Sequence, residues 1–384
     1  MSKTLYADKA LKSFYLGAVA DHLNAGTNPF WAKVKQTSAD VWGREVRKLI
    51  PNDGQEELQQ FALTLKNLFG KIEISDKAMC AAHNSAGAFV NLLNAEIHEL
   101  LIVSKFNIGR MLYGDGSGLL ATTVENTGND SNAFVVDSTR FLIEGMTLDI
   151  YDANGAKDVE ISGATILDID REEKIVIISA RAQNPIGKGY TLYVQGQKDN
   201  ELTGLEAIFK DTPTLYGVNR ADYAFMRPYK KTIEGKCTPD VIRSAIAEIE
   251  VSGSRIDFIV CSFDVKRQYL KYLDENNINA DYINLDGGYK ALSCAGIPIV
   301  ADRFVTDGTM YLLNSNDFTL HQLCDWRWLE DDYGCILRQG TGKSSYTATL
   351  VKYADLMCER PAGQGKLIFI KETEVGYENT RGTG

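Results

Sequence analysis

An α+β fold is predicted for this chain, and three observations predict it. Residues 85–111 repeat apolar side chains every three or four positions, the pattern of one long amphipathic helix of about seven turns. Residues 121–200 break into short β-rich runs divided by turn residues. After residue 200, helical and strand patterns alternate, as they do where helices pack on a sheet.

The composition sets the frame. The chain has 384 residues, 44% hydrophobic and 24% charged, an ordinary soluble globular mixture with room for two or three domains. It has no apolar run of the ~18 residues a membrane helix needs. The N-terminus MSKTLYADKALKSFYLG has no apolar signal core and no cleavage site. The protein is therefore expected to stay in the cytoplasm where it is made, or to leave by lysis. The seven cysteines are scattered, odd in number and free of any C-x-x-C, which fits reduced thiols. A net charge of −10 argues against a tight grip on nucleic acid, which needs a basic face.

The elements follow in order. Residues 1–27 carry apolar positions at Leu11, Phe14, Leu16, Val19 and Leu23 and predict a helix, broken by Asn28-Pro29-Phe30-Trp31. Residues 31–50 are locally basic, with five Lys/Arg against Asp40 and Glu45. Val41–Ile50 mixes β-formers with charges, Pro51-Asn52-Asp53-Gly54 is a turn, and Phe61–Ile74 is the expected return strand. Together they predict a long basic hairpin with little core of its own, which must pack on something else. The long helix carries Phe89, Leu92, Leu93, Ile97, Leu100, Leu101 and Phe106, and Tyr113-Gly114-Asp115-Gly116-Ser117-Gly118 ends it. Strand runs at 134–136, 146–151, 164–169, 175–178 and 190–194 predict a small barrel or sandwich. Thirteen Asp/Glu against seven Lys/Arg in 121–200 place −6 of the net −10 there. Thr238-Pro239-Asp240 starts a helix to about 249, Ile256–Val260 is a buried strand, and Ser262-Phe263-Asp264 starts a helix to about 273. Strands are predicted at 289–292, 297–300, 310–314, 319–323, 346–358 and 365–370, followed by a polar tail.

Chemistry-bearing motifs are few. RQGTGKSSY (338–346) ends like a phosphate loop, but the first glycine of G-x-x-x-x-G-K-[ST] would fall at 337, where Leu337 stands. A β-rich run follows it, not the helix whose N-terminus a phosphate needs. It is predicted to be a hairpin turn. The glycines of 113–118 end a helix, whereas a dinucleotide fingerprint opens one. Cys80-x-x-His83 with His321-x-x-Cys324 has the inner spacing of a zinc site, but two unrelated pairs are expected. Glu330-Asp331-Asp332, and Asp168 with Asp170, are expected to be solvated turns. Trp326 and Trp328 flank Arg327 as a stacking platform, an interface anchor or core at a rim. None of the four histidines sits in a nucleophile elbow. No catalytic residue, cofactor loop or metal ligand is assigned.

What remains is an order of parts: N-terminal helix, hairpin, long helix, α/β region and late strands. That order resembles the major capsid proteins of tailed bacteriophages. NPFWAKV and VWGREVRKLIP are similar to that family's arm and extended-loop start, and GRMLYGDGSGLLA to its spine-helix exit. LTGLEAIF, LYGVNR and GIPIVADRFVTDGTMYLLNSNDFTLHQL are similar to its axial stretches, and YTATLVKYADLMCERPAGQGKL to its closing segment. The resemblance spans roughly residues 28–370. It implies an arm (1–30), an extended-loop hairpin (31–80) and a peripheral domain with spine helix (81–120). It further implies an inserted acidic β-domain (121–200), an axial α/β domain (201–345, with some peripheral segments), returning peripheral strands (346–370) and a flexible tail (371–384).

The implied role is structural and not enzymatic: self-assembly through hexamers and pentamers into an icosahedral shell around a double-stranded DNA genome, in the virion, after assembly in the host bacterial cytoplasm. Implied partners are other copies of itself, a separate scaffolding protein, a portal, weakly held packaged DNA and optionally a decoration protein, with no membrane and no cofactor. A separate scaffold is expected because the chain begins almost at the arm. Inter-subunit contact is expected at Trp31, Lys33, Lys35, Trp42, Arg44, Arg47 and Lys48. The competing readings are a protein-cargo nanocompartment, a nucleotide-using enzyme working through 338–346, and an adhesion or decoration protein built on 121–200.

Overall fold

In a computed structural model of the chain, residues 35–38, 45–48, 57–77, 86–158, 161–285, 290–330, 334–339, 342 and 344–370 are described. The elements are β1 (Lys35–Ser38), β2 (Glu45–Lys48), β3 (Glu57–Gln60), β4 (Lys66–Ser75), α1 (Ala86–Tyr113), β5 (Leu119–Thr122), β6 (Ser131–Val135), β7 (Thr147–Tyr151), β8 (Ala164–Asp170), β9 (Ile175–Ala182) and β10 (Thr191–Val194). Then come α2 (Leu205–Phe209), β11 (Thr214–Leu215), β12 (Val218–Asn219), β13 (Tyr229–Glu234), α3 (Pro239–Val251), β14 (Phe258–Cys261), α4 (Phe263–Glu275), β15 (Tyr282–Asn284) and β16 (Lys290–Cys294). The chain closes with β17 (Ile297–Ala301), β18 (Thr309–Leu313), β19 (Phe318–Trp328), β20 (Arg338–Gln339), β21 (Ser345–Cys358) and β22 (Gly365–Ile370). They form two compact units: residues 1–224 with 316–359, and residues 225–315 with 360–384.

The first unit is built on β21, whose one edge pairs with β19 and whose other edge pairs with β4, both antiparallel. β1 adds to β19 in parallel, with Lys35 opposite Thr319. Along β4 burial alternates: Leu68, Ile72 and Ile74 are buried, whereas Phe69 is 57% exposed. That two-faced pattern explains a difference from the sequence expectation. The return strand of the hairpin is β3, in register with β2 from Glu45–Gln60 to Lys48–Glu57. Most of the expected return strand, Phe61–Ile74, is β4 instead. Its apolar face needs a core that a lone hairpin lacks, and it finds one under α1. Gly70 lets the helix approach: a Cβ there would stand 2.7 Å from Leu100 Cδ1. Ile97 and Phe106 of α1 are buried as their spacing predicts. The N-terminal helix expected over 1–27 lies outside the described residues.

The segment 119–194 folds as a six-stranded barrel in the order β5-β10-β7-β8-β9-β6. An antiparallel bridge between Thr123 and Val136 joins the two end strands and closes it. Full closure removes free sheet edges and decides between barrel and sandwich. Leu148, Ile150, Val176, Ile178 and Leu192 are fully buried. After the barrel the chain returns to the end of α1. A Cβ on Gly204 would meet the backbone oxygens of Met111, Gly114 and Leu112 at 2.4, 2.6 and 2.7 Å. Backbone atoms cannot rotate away as a side chain would, so Gly204→Ala is expected to cost about 1–3 kcal/mol. A lowered thermal midpoint would show it, and an unchanged one would refute it.

The second unit is a seven-stranded mixed sheet, β13-β22-β18-β14-β17-β16-β15. β14 pairs with β17 in parallel and with β18 antiparallel. Helix α3 starts where the sequence predicts, with the Thr238 hydroxyl accepting the Val241 N–H and Pro239 in the first turn. Its buried residues Ile242, Ala245, Ile246 and Ile249 share a core with Val265, Tyr269 and Leu273 of α4 and with Ile259, Cys261, Leu312 and Leu367 of the sheet. Each fully buried aliphatic side chain contributes about 1.5–3 kcal/mol.

Two expected boundaries move. β22 lies between β13 and β18 in this sheet, so 346–370 does not return as one peripheral segment but divides at 359/360. An apolar run such as Leu367–Ile370 suits a strand with neighbours on both edges. Residues 201–224 and 316–345 belong to the first unit, which narrows the α/β domain to 225–315 plus the closing strand. The edge strands β13 and β15 and the small hairpin β11–β12 are additions to the sequence reading.

Candidate functional site

The nucleotide-like motifs resolve into turns. β20 and β21 form an antiparallel hairpin, with Arg338 opposite Thr347 and Gln339 opposite Tyr346. Gly342 turns it at φ +72°, and a strand of 14 residues follows. Lys343 lies outside the described residues. At the end of α1, Asp115 accepts from the Ser117 N–H at 3.0 Å and from the Lys210 ammonium at 2.6 Å. Burial tends to raise the Asp115 carboxyl, but the bonds from Lys210 and Ser117 outweigh it and hold it below its ordinary value. The glycine run there ends a helix, as the sequence predicts.

The remaining candidates separate. Cys80 and His83 lie outside the described residues. His321 stands on β19 opposite Asp355, and the described residues contain no cluster of three metal-ligating side chains. Burial pushes the Cys261 thiol up to about 12 and raises Cys237 further, far from the thiolate a nucleophile needs. Trp326 and Trp328 are each 4% exposed, so they are core and not an open platform.

The residues expected to contact other subunits divide likewise. Trp31, Lys33, Trp42 and Arg44 lie outside the described residues. Lys35 sits in β1 on the main sheet, apart from the hairpin. Arg47 and Lys48 are on β2, opposite Leu58 and Glu57. The arm runs through the turn to the end of β3 and includes Asp53, Glu56 and Glu57. Beyond β1, residues 39–60 carry three Lys/Arg and five Asp/Glu. The arm has mixed charge with a slight acidic excess, and the expectation of a basic hairpin is corrected accordingly.

A polar junction fastens the root of this arm, and sequence reasoning missed it. Arg110 near the end of α1 donates two hydrogen bonds to Glu201, at 2.7 and 2.5 Å, with both side chains 3% exposed. Lys66 at the start of β4 donates to the Asp199 carbonyl at 3.0 Å. Thr203 donates to Asp355 of β21 through its backbone N–H at 2.7 Å and its hydroxyl at 3.0 Å. The segment 199–203 is thereby stitched to α1, β4 and β21 together. The partners lie 91 to 152 positions apart in the chain, and no local pattern announces them.

Burial pushes the Asp355 carboxyl up to about 6, although the Thr203 bonds pull the other way. A carboxyl that titrates higher folded than unfolded is stabilising while protonated. Its contribution is complete below the unfolded value of about 4 and lost as pH rises through about 6. Asp355→Asn stays neutral throughout. The parent is therefore expected to lose roughly 3 kcal/mol relative to this variant between pH 4 and pH 7. Urea midpoints of both proteins across that range test it; parallel curves would refute it.

No family model and no curated protein matches the chain. Among solved structures, the capsid asymmetric unit of cyanophage A-1(L) matches with a TM-score of 0.51 and 12% identity, covering 86% of this chain and 89% of that one. A structure from Mycobacterium phage Patience matches with a TM-score of 0.44 and 10% identity over 97% of this chain and 88% of that one. The holo-SrpI encapsulin complex of Synechococcus elongatus PCC 7942 matches with a TM-score of 0.45 and 7% identity over 89% and 87%.

Proposed function

We propose that this chain, which has the fold of a tailed-phage major capsid protein, is the structural subunit of an icosahedral shell around a double-stranded DNA genome. The observation that carries the proposal is the likeness to the cyanophage capsid over 86% of this chain and 89% of that one. The physics of the chain agrees. A two-stranded arm such as β2–β3 has too little core to stand alone, and it gains stability on a neighbouring copy repeated by symmetry. Mixed charge along the arm favours one docking register over others through complementary and like-charge contacts. A net charge of −10 keeps such a shell from adhering to the nucleic acid inside it.

The proposed assembly passes through hexamers and pentamers with a separate scaffolding protein and a portal, in the host bacterial cytoplasm, and the finished shell belongs to the virion. The barrel of 119–194 is read as an insertion between spine helix and axial domain, open to a decoration protein. The expected contact residues remain Trp42, Arg44, Arg47 and Lys48 of the arm, with Trp31 and Lys33 ahead of β1 and Lys35 at the edge of the main sheet. The protein is proposed to be non-enzymatic.

The contents of the particle separate the two kinds of shell. Particles purified from cells that carry the neighbouring genes and then treated with nuclease are expected to retain double-stranded DNA. Particles that hold only protein would favour a cargo nanocompartment. Saturable binding of labelled ATP would instead support an enzyme.

A further inference from the structure

The hairpin β11–β12 turns through Tyr216 and Gly217, at φ +51° and +77°, with Leu215 paired to Val218. Glycine is the default residue for left-handed backbone, and an aromatic side chain there is strained. Strain kept at such a position points to work done by the side chain.

Tyr216 is 7% exposed and holds three things at once. Its hydroxyl donates to the Leu356 carbonyl at 3.3 Å and accepts the Cys358 N–H at 3.1 Å, at the end of β21. Its backbone carbonyl accepts the Ala62 N–H at 2.9 Å. Its ring meets that of Phe61 at 5.8 Å between centroids, tilted by 54°, and Phe61 is fully buried. Phe61 and Ala62 directly follow β3, so this one residue grips the root of the arm. The turn is mounted firmly in its own right: the Arg220 guanidinium donates to the Ala207 and Ile208 carbonyls of α2 at 2.6 Å each.

We infer that Tyr216 is a positioning residue: it clamps the root of the β2–β3 hairpin to β21 and so fixes the line along which the arm is presented to a second copy of this chain. The clamp stands on the contacts above; its destination rests on the proposed shell function.

Two substitutions separate a clamp from a mere turn. Tyr216→Phe keeps the ring and the strained turn but deletes both hydroxyl bonds. Tyr216→Gly suits the left-handed backbone better and deletes the ring. If Tyr216 served only the turn, the glycine variant would behave as the parent or better. The clamp requires the reverse. Hydrogen exchange of the unassembled chain should rise about tenfold or more in residues 57–65 of Y216F, on the order of the net worth of the hydroxyl's two hydrogen bonds, and further in Y216G. Amides of the barrel strands 164–182 should exchange as in the parent. If Y216G opens the barrel as well, Y216F decides. Shell yield, measured by sedimentation, should fall in the same order.

Unchanged exchange at 57–65 in Y216F overturns the clamp. Raised exchange with parental shell yield overturns its role in presenting the arm. If the parent itself forms no shells, the functional reading fails, while hydrogen exchange still decides the clamp.

Discussion

Arg110→Met is expected to lower the stability of the first unit by about 3–5 kcal/mol, the loss that follows when a buried ion pair is left with one partner. Both side chains are 3% exposed, so water cannot take over for the lost guanidinium. Glu201 would remain as a buried, uncompensated carboxylate between α1 and the segment that returns from the barrel. The double variant Arg110→Met with Glu201→Leu removes both charges and should recover most of the loss, because apolar replacements of a buried pair are often close to neutral. Urea titration of parent, single and double variants forms a double-mutant cycle. A single variant as stable as the parent would show that the pair is not what secures the junction.

The second large effect concerns assembly and not folding. Arg44→Glu with Arg47→Glu is expected to abolish shell formation while leaving the monomer folded. Arg47 lies on β2, a strand paired only to β3 among the described residues, so little of the core depends on it. The change leaves residues 39–60 with one lysine against seven Asp/Glu, counted from the sequence. An arm of mixed charge becomes a strongly acidic one that must approach copies of a chain carrying −10. Circular dichroism should match the parent, and sedimentation should show no shell-sized material. Normal shells from this variant would show that the arm's charges do not direct assembly.

Which parts of this fold were legible in the sequence follows from range. Periodicity located α1 within two residues at either end, 85–111 against 86–113, because helical spacing is a local signal. Thr238-Pro239 announced α3, and Ser345–Cys358 was found by its β-formers almost in full. What failed was partnership. Residues 66–75 read as the return of a nearby hairpin, yet they pair with 345–354, across most of the chain. Leu367–Ile370 read as continuing the preceding strand's domain, yet the chain changes units at 359/360. The mixed charge of the arm was legible in Asp53, Glu56 and Glu57, which a count confined to 31–50 leaves out. The junction was the least legible part: Glu201 and Asp355 are ordinary acidic residues until Arg110 and Thr203 are brought to them. Tyr216-Gly217 did carry a signal, a two-residue turn between β-formers, but its grip on Phe61 comes from tertiary packing.

Electron microscopy of the purified protein, alone and co-expressed with its genomic neighbours, decides whether this chain builds the proposed closed shell. Closed icosahedral particles, or rings of five and six copies, are expected. A discrete monomer or dimer under every condition, with the neighbours present, would contradict the proposal.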